Sequence, residues 1–332
     1  MSEYSGVMIF GEAKEGKLAA VTTELLGCGR RLAGDLGQEL HCLLVGGDVG
    51  SLAQEAIAFG ADKVYVVSDP LLEAYQADAY VLAAEKVARQ VMPQILLVGQ
   101  TSIGRDLAPR LAFRLGTALT TDCVELALDP TSKLLLKTKP VYGGNAQAVF
   151  TSEACPQMAT VRAKAMSPLE RDDSRQGEVI TVEAGLEPSS IRAELVERVA
   201  EEVEGVRLED AEVVICGGRG IGGAEGFRQL EELAGILKGA VGASRPPCDN
   251  GWVPSGYQVG LTGKIIAPDL YLAIGISGAS QHMTGCSGAK AIVAINKDPE
   301  ANIFREASYG VVGDWKKVLP ALTAKLRELV AD

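Results

Sequence analysis

A glycine-rich segment, Gly217–Gly223, is the first part of the chain whose residue types and spacing could do chemistry. Gly218, Gly220 and Gly223 give the pattern G-x-G-x-x-G, directly after a predicted strand and before a predicted helix. In that position backbone N–H groups can face a phosphate at the helix N-terminus. The pattern predicts a dinucleotide site, and a tight turn that binds nothing is the plain alternative.

The next predicted strand limits which nucleotide could bind there. An NAD site of this type needs an acidic residue about 20 residues further on, at the end of that strand, to bind the ribose hydroxyl. The strand ends instead in Ala243, Ser244 and Arg245. An arginine there could meet the 2′-phosphate of NADP, so the sequence disfavours NAD and leaves NADP open.

A second turn of small residues, Ile276–His282, follows the predicted strand Leu270–Ile274 and opens a short helix. Small residues let a ligand approach the backbone, and a helix N-terminus favours negative charge. Two such turns on neighbouring strands are what a pyrophosphate at the switch point of a parallel sheet needs. His282 could reach a ligand bound there, whereas His41 lies within a predicted strand and is interpreted as structural.

Three further segments could contribute to the same site. Two glycines flank Thr262 in a long loop, which indicates backbone close to a flat ligand, although an exposed turn is the simpler interpretation. Asn296 follows the predicted strand Ala291–Ile295, on the edge where ligands lie in open α/β sheets. Asp314, just before Trp315, could bind a ribose hydroxyl, but alone it would simply cap the last helix.

No catalytic set accompanies these turns. The sequence has no Ser/His/Asp order, no nucleophile elbow, no Walker A loop and no paired carboxylates with a shared role. With two histidines, seven cysteines and no CxxC pair, a metal site is not expected. A dinucleotide site without acid–base groups indicates an electron carrier rather than an enzyme that transforms a substrate.

Composition argues against several classes of partner. The net charge of −11 over 332 residues disfavours binding to nucleic acid or to an anionic membrane surface. Pro268 and Asp269 interrupt the best candidate for a membrane helix, so no direct membrane insertion is expected. Free or buried thiols and the lack of a recognisable signal or transit segment predict a cytoplasmic protein.

The order of predicted elements gives an α/β fold class. Strands and helices alternate from Val7 to about residue 115, and short apolar runs bounded by Gly or Asp are typical of buried parallel strands. Several short strands are added between residues 124 and 162, and a short helix is expected over Glu194–Val203. A second α/β unit begins at Glu212. We therefore expect two domains, residues 1–206 and residues 207–332, the second Rossmann-like.

The C-terminal third, taken as a whole, resembles the alpha subunit of electron-transfer flavoproteins. The resemblance rests on five blocks with matching order and spacing, namely Gly217–Gly220, Val241–Arg245, Gln258–Lys264, Gly275–His282 and Ala294–Pro299. The alternating N-terminal part is similar as well, with the segments Val98–Gln100 and Gly104–Arg110. Because the resemblance extends over nearly the whole chain, it is far more specific than one glycine motif.

The resemblance implies that the C-terminal domain holds one FAD, and it assigns contacts residue by residue. Arg219 would contact the phosphate region, while Ser244 and Arg245 would approach the isoalloxazine ring, with the guanidinium over it. Along the ring edge it implies Val259, Gly260, Leu261 and Thr262, the last of these near N5. On the pyrophosphate and ribityl side it implies Ser277, Gly278, Ala279, Ser280, Gln281 and His282, with His282 at the pyrimidine carbonyl. Near the adenosine it implies Asn296, Asp314 and Trp315.

One position departs from the family pattern. Many members have Gln where this chain has Leu261, so Leu261 would act only through its backbone.

The same resemblance implies a heterodimer with an electron-transfer flavoprotein beta subunit, docked by the N-terminal domain. Flavin dehydrogenases, such as the acyl-CoA dehydrogenases of fatty acid β-oxidation, would donate electrons, and a membrane quinone oxidoreductase or a similar acceptor would take them. Two alternatives stay open. An NAD(P)-dependent oxidoreductase would bind nicotinamide and turn over a substrate by itself. A non-catalytic nucleotide-binding module would use the glycine turns for ATP or AMP and would be colourless.

Overall fold

The computed structural model describes residues 4–14, 16–142, 146–193, 195–197 and 206–330. The chain divides near residue 200 into an N-terminal and a C-terminal compact unit. That division falls a few residues before the expected boundary at residue 206, in a stretch outside the described residues, so the boundary itself stays a prediction. The expected helix over Glu194–Val203 also lies outside the described residues, except at 195–197.

The N-terminal unit alternates strands and helices in its first 115 residues and then adds short strands. Its strands are β1 (Val7–Gly11), β2 (Ala13–Lys14), β3 (Lys17–Leu18), β4 (Leu40–Gly46), β5 (Lys63–Ser68), β6 (Ile95–Gly99), β7 (Leu119–Cys123), β8 (Glu125–Leu128), β9 (Leu135–Val141), β10 (Ala146–Phe150), β11 (Gln157–Val161) and β12 (Glu178–Thr181). Its helices are α1 (Ala20–Leu36), α2 (Ala53–Ala58), α3 (Ala77–Val91) and α4 (Ser102–Leu115).

Seven of these strands form one parallel sheet, in the order β12-β5-β4-β1-β6-β11-β7. Strands β1, β4, β6 and β11 are buried at every residue, because helices cover both faces of a parallel sheet. One core lies on the face of α1 and α2, and a second lies on the face of α3 and α4. The predicted added strands form a separate antiparallel sheet, β10-β9-β8, except that β11 joins the parallel sheet.

The C-terminal unit contains a five-stranded parallel sheet in the order β14-β13-β15-β16-β17. Its strands are β13 (Val213–Gly217), β14 (Ala240–Ala243), β15 (Leu270–Ile274), β16 (Ala291–Asn296) and β17 (Tyr309–Val312). Its helices are α5 (Ala224–Leu237), α6 (Arg245–Asp249), α7 (Ser280–Cys286), α8 (Ile303–Glu306) and α9 (Trp315–Val330).

The strand order of this sheet creates a switch point between β13 and β15. The chain leaves β13 toward β14 on one side and then crosses to β15 on the other side. Counted within the unit the order is 2-1-3-4-5, one of the two common orders of doubly wound sheets, and ligands bind outside the carboxyl ends of strands at such a point. The expected α/β fold class, with parallel sheets in both units, is confirmed.

Two further properties bear on the sequence-based expectations. In the part of the chain that the structure describes, every helix falls short of the length or the apolar character needed to cross a membrane. All seven cysteines are free thiols, and five of them are buried.

The N-terminal unit holds a buried carboxyl group at the end of β1. Glu12 is 9% exposed, and its Oε1 accepts a hydrogen bond of 2.7 Å from the Thr101 hydroxyl, which caps α4. Burial raises the pKa of Glu12 from 4.5 to about 7, although the Thr101 hydrogen bond opposes the shift. The Glu12 carboxyl group therefore binds its proton more strongly in the folded state than in the unfolded state. The stability that this protonation contributes is present below about pH 4.5 and is lost as the pH rises through about 7.

We predict that Glu12→Gln removes this share of the pH dependence. The amide oxygen can still accept from Thr101, and no charge has to be buried at high pH. Between pH 5 and pH 8, the decrease in the free energy of unfolding, measured by urea denaturation, should be about 2 kcal/mol smaller in Glu12→Gln than in the wild type. The exposed substitution Glu125→Gln is the control and should follow the wild type. Equal pH dependence in Glu12→Gln and wild type would contradict the buried-carboxyl explanation.

Candidate functional site

A cleft of about 740 Å³ opens at the carboxyl edge of the five-stranded sheet. Its walls are the turns after β13, β14, β15 and β16, together with the loop at 258–262 and helix α7. Most of the residues predicted from the sequence line it, namely Arg219, Ser244, Arg245, Val259, Gly260, Leu261, Thr262, Ser277, Ala279, Gln281, His282 and Asn296.

The turns after β13 and β15 pack backbone to backbone at the switch point. The Gly218 N–H donates to the Ile274 carbonyl at 2.8 Å, and the Gly220 N–H donates to the Gly275 carbonyl at 3.0 Å. A Cβ on Gly218 would lie 2.2 Å from the Gly275 oxygen, so only glycine permits this approach. The glycine pattern therefore joins two turns, and the N–H groups of Gly218 and Gly220 are not available to a phosphate.

The charges that line the cleft are mostly positive, although the chain has a net charge of −11. Arg219 and Lys297 are exposed and have no ion pair among the described residues. Arg245 pairs with Asp249 at 3.1 Å within α6, and both side chains are largely exposed, so this pair is weak. The lining thus favours an anionic ligand such as a pyrophosphate.

Two side chains in the cleft are available to contact a ligand. Ser244 is 8% exposed, lines the cleft, and its hydroxyl makes no hydrogen bond within the described part of the chain. Leu261 is 54% exposed and lines the cleft with an apolar side chain. The cleft thus offers both hydrogen-bonding groups and apolar surface, as small-molecule sites do.

The loop that carries Val259–Leu261 lies directly on helix α7. The Leu261 N–H donates to the Gln281 carbonyl at 2.7 Å. A Cβ on Gly285 would lie 2.4 Å from the Gly260 Cα, so no side chain separates loop and helix. The position of this cleft wall therefore depends on α7.

His282 is a buried, neutral residue of α7. Its Nδ1 lies 3.0 Å from the Val259 carbonyl oxygen, and its Nε2 lies 2.6 Å from the Tyr271 hydroxyl. Burial lowers the pKa of His282 to about 4, although the Val259 hydrogen bond opposes the shift. A carbonyl only accepts, so Nδ1 carries the proton and Nε2 accepts from Tyr271. The predicted contact of a ring nitrogen with a pyrimidine carbonyl would require one of these hydrogen bonds to be exchanged.

Four predicted site residues do not themselves line the cleft. Gly278 and Ser280 lie within a segment whose neighbours do. The Trp315 ring N–H donates to the Gly220 carbonyl at 3.0 Å, so this buried indole supports the turn after β13 from behind. The Asp314 carboxylate accepts from a backbone N–H in the first turn of α9, which is a capping contact.

Other lining residues lie within the predicted segments but were not assigned a cofactor contact. They include Gln258, Ile276, Lys297 and Asp298. Each is next to a predicted residue or follows a strand end, which is the signal that could have found them. Gln258 also donates to the Thr262 hydroxyl at 3.0 Å and so helps to shape the loop.

Comparison with known families gives two matches along the chain. The electron transfer flavoprotein domain matches residues 7–187, and the electron transfer flavoprotein FAD-binding domain matches residues 207–287. The second match contains β13, β14, β15 and α7, and thus most of the cleft.

Curated relatives are similar over their full length. The electron transfer flavoprotein subunit alpha of Thermoanaerobacterium thermosaccharolyticum is 46% identical, with 99% of this chain and 100% of the relative covered. The subunit alpha of Megasphaera elsdenii is 45% identical, with 99% and 98% covered, and that of Bacillus subtilis is 42% identical, with 97% and 98% covered. The chain therefore belongs to the electron transfer flavoprotein alpha-subunit family.

Proposed function

We propose that this chain binds one FAD in the cleft of its C-terminal unit and carries electrons as part of a heterodimer. The observation that carries the proposal is the position of the cleft. Its walls are turns at the switch point of a doubly wound sheet, and most of them lie within the segment that matches the FAD-binding family.

The chemistry of the cleft fits FAD at three points. Arg219 and Lys297 suit a pyrophosphate with two negative charges. The apolar side chain of Leu261 and the free hydroxyl of Ser244 suit a flat ring with polar edges. The volume of about 740 Å³ lies within the range of small-molecule and cofactor sites.

FAD, when bound, would supply one- and two-electron redox chemistry, and the chain would bind and orient it. Arg219 and Lys297 would hold the phosphates. Ser244 and Arg245 would approach the ring, and the backbone of Val259–Thr262 would lie along its edge. His282 enters the site as a neutral imidazole, since its pKa of about 4 leaves it without charge near pH 7.

Neither alternative explains the cleft as well. In an NAD(P)-dependent oxidoreductase the glycine motif would present its amides to the pyrophosphate, but two of those amides bind Ile274 and Gly275. A module for ATP or AMP would need no apolar wall for a second ring system, whereas Leu261 is exposed in this cleft.

The partner and the pathway extend the proposal beyond the cleft. The N-terminal unit would dock an electron-transfer flavoprotein beta subunit. Electrons would come from flavin dehydrogenases, such as those of fatty acid β-oxidation, and would pass to a quinone oxidoreductase or a similar acceptor. A cytoplasmic location remains a prediction, and the seven free thiols are consistent with a reducing compartment.

We predict that the chain, co-expressed with the product of an adjacent beta-subunit gene, purifies as a yellow heterodimer. Its visible spectrum should show bound flavin that dithionite bleaches reversibly, and heat should release FAD rather than FMN. A colourless complex that takes up ATP or AMP would contradict the proposal. So would a complex that binds NADP but leaves added FAD free.

We also predict that Arg245→Ala weakens FAD retention. A guanidinium over an aromatic ring contributes about 0.5–2 kcal/mol, which corresponds to a roughly 2- to 30-fold higher dissociation constant. Flavin fluorescence after serial dilution measures the loss. Arg228→Ala removes the same charge from an exposed position on α5 outside the cleft and should retain FAD like the wild type. Unchanged retention in Arg245→Ala would exclude Arg245 from the site.

A further inference from the structure

Beneath the cleft, two buried hydrogen bonds join three elements of the C-terminal unit. They run from the Tyr271 hydroxyl on β15 to the His282 ring on α7, and from that ring to the Val259 carbonyl in the cleft loop. The exposed fractions of these residues are 0%, 7% and 1%. His282 and Val259 line the cleft, whereas Tyr271 lies behind them.

The groups around the Tyr271 hydroxyl are all neutral, so this hydroxyl is the donor in its hydrogen bond to the His282 ring. Two thiols, Cys216 on β13 and Cys286 on α7, lie near this hydroxyl, and both are fully buried. Burial raises the pKa of Tyr271 and of both thiols, so all three groups are neutral. Glu306 acts on Cys286 only electrostatically. Within the described residues, Tyr271 makes the one hydrogen bond at Nε2 of His282.

Few hydrogen bonds join the cleft wall at Val259–Leu261 to neighbouring elements, and the His282 ring makes one of them. The Val259 N–H donates to the Ala243 carbonyl at 2.8 Å, and the Leu261 N–H donates to the Gln281 carbonyl at 2.7 Å. The Val259 carbonyl is held by Nδ1 of His282. Gly260 pairs only within the loop, where its N–H donates to the Lys264 carbonyl at 3.1 Å. If the ring turned, this wall of the cleft would lose one of the three hydrogen bonds that join it to the end of β14 and to α7.

We propose that Tyr271 is a positioning residue of the cofactor site, whose hydroxyl fixes the orientation and tautomer of His282 and, through that ring, the cleft wall at Val259–Leu261. The inference rests on the proposed FAD site for its ligand. The hydrogen bonds themselves are present without it, so one arm of the test needs no cofactor. Without the hydroxyl, Nε2 would be buried with no donor, and the ring would be held only by its hydrogen bond to the Val259 carbonyl.

The first arm uses nitrogen-15 NMR of the histidine side chains in the full chain. The sequence has only His41 and His282, and a His282→Gln variant assigns the two signals. In the wild type we expect a neutral His282 in the Nδ1–H tautomer from pH 5 to pH 8. In Tyr271→Phe the pKa of His282 should rise by roughly half a unit to one unit, because the donor that favours the neutral ring is lost. The His41 signals should not move.

Two results of this arm would overturn the inference. One is a wild-type His282 in the Nε2–H tautomer, which decides the matter even if Tyr271→Phe does not fold. The other is an unshifted pKa of His282 in Tyr271→Phe.

The second arm measures FAD affinity of the co-expressed complex in a double-mutant cycle. Tyr271→Phe should weaken FAD binding roughly two- to tenfold in the wild-type background, as expected for one lost hydrogen bond. In the His282→Gln background the same change should have little effect, because Tyr271 acts through His282. Equal losses in both backgrounds would show a merely structural role and overturn the inference.

A matched control separates this effect from a general response to losing a phenol. Tyr309→Phe makes the same chemical change in the same unit, at an exposed position on β17 outside the cleft lining, and should change neither the FAD affinity nor the His282 titration. Equal effects of Tyr309→Phe and Tyr271→Phe would overturn the inference. If the wild-type complex binds no FAD, the proposed function fails, and the first arm alone decides the role of Tyr271.

Discussion

The close contact between the turns after β13 and β15 is the constraint on which the rest of the C-terminal unit depends. Gly218 and Gly220 lie so near Gly275 that any side chain would separate the two turns. Because the turns meet, the carboxyl ends of two neighbouring strands form one continuous floor at the switch point. Trp315 supports this floor through its hydrogen bond to the Gly220 carbonyl, so the last helix also contributes to the site from behind.

The same contact changes what the backbone amides of the glycine motif bind. In most dinucleotide sites such a motif binds a pyrophosphate through these amides. Here the Gly218 and Gly220 amides bind the neighbouring turn, so in the proposed site these two N–H groups would not contact the phosphates. Arg219 and Lys297 line the cleft and make it locally positive in an acidic protein. In the proposed site their charges would supply part of the attraction for the phosphates, while the glycines hold the two turns together.

The sequence predicted those parts of the fold whose residues must be apolar. Buried strands such as β1 and β15 appear as short apolar runs, and the sequence predicts both with their observed bounds. The edge strands β7, β12 and β17 were missed, because they are half to fully exposed and contain no buried apolar run. The edge strand β14 is mostly buried and was predicted. Most of the cleft lining followed from the resemblance, since its blocks coincide with the strand ends.

The partners of His282 could not be predicted from the sequence. Tyr271 stands within an apolar run, where a tyrosine predicts burial but not the direction of its hydroxyl. Its contact with a residue eleven positions away exists only because β15 and α7 pack together. The neutral state of His282 follows from the same burial, because desolvation outweighs the hydrogen bond that favours the charged ring.

If a flavin binds in the cleft as proposed, a neutral His282 would leave the electrostatic control of that flavin to other residues of the cleft. Negative charge that develops on a reduced ring is stabilised by nearby cations and by donors already oriented toward it. In the described cleft lining, Arg219 and Lys297 are the cations assigned to the phosphates, which leaves Arg245 for the ring. Its exposed pair with Asp249 holds it only weakly, so the guanidinium can turn toward a ligand at little cost. The buried Tyr271–His282 pair would then fix the shape of the wall, while Arg245 would supply the charge.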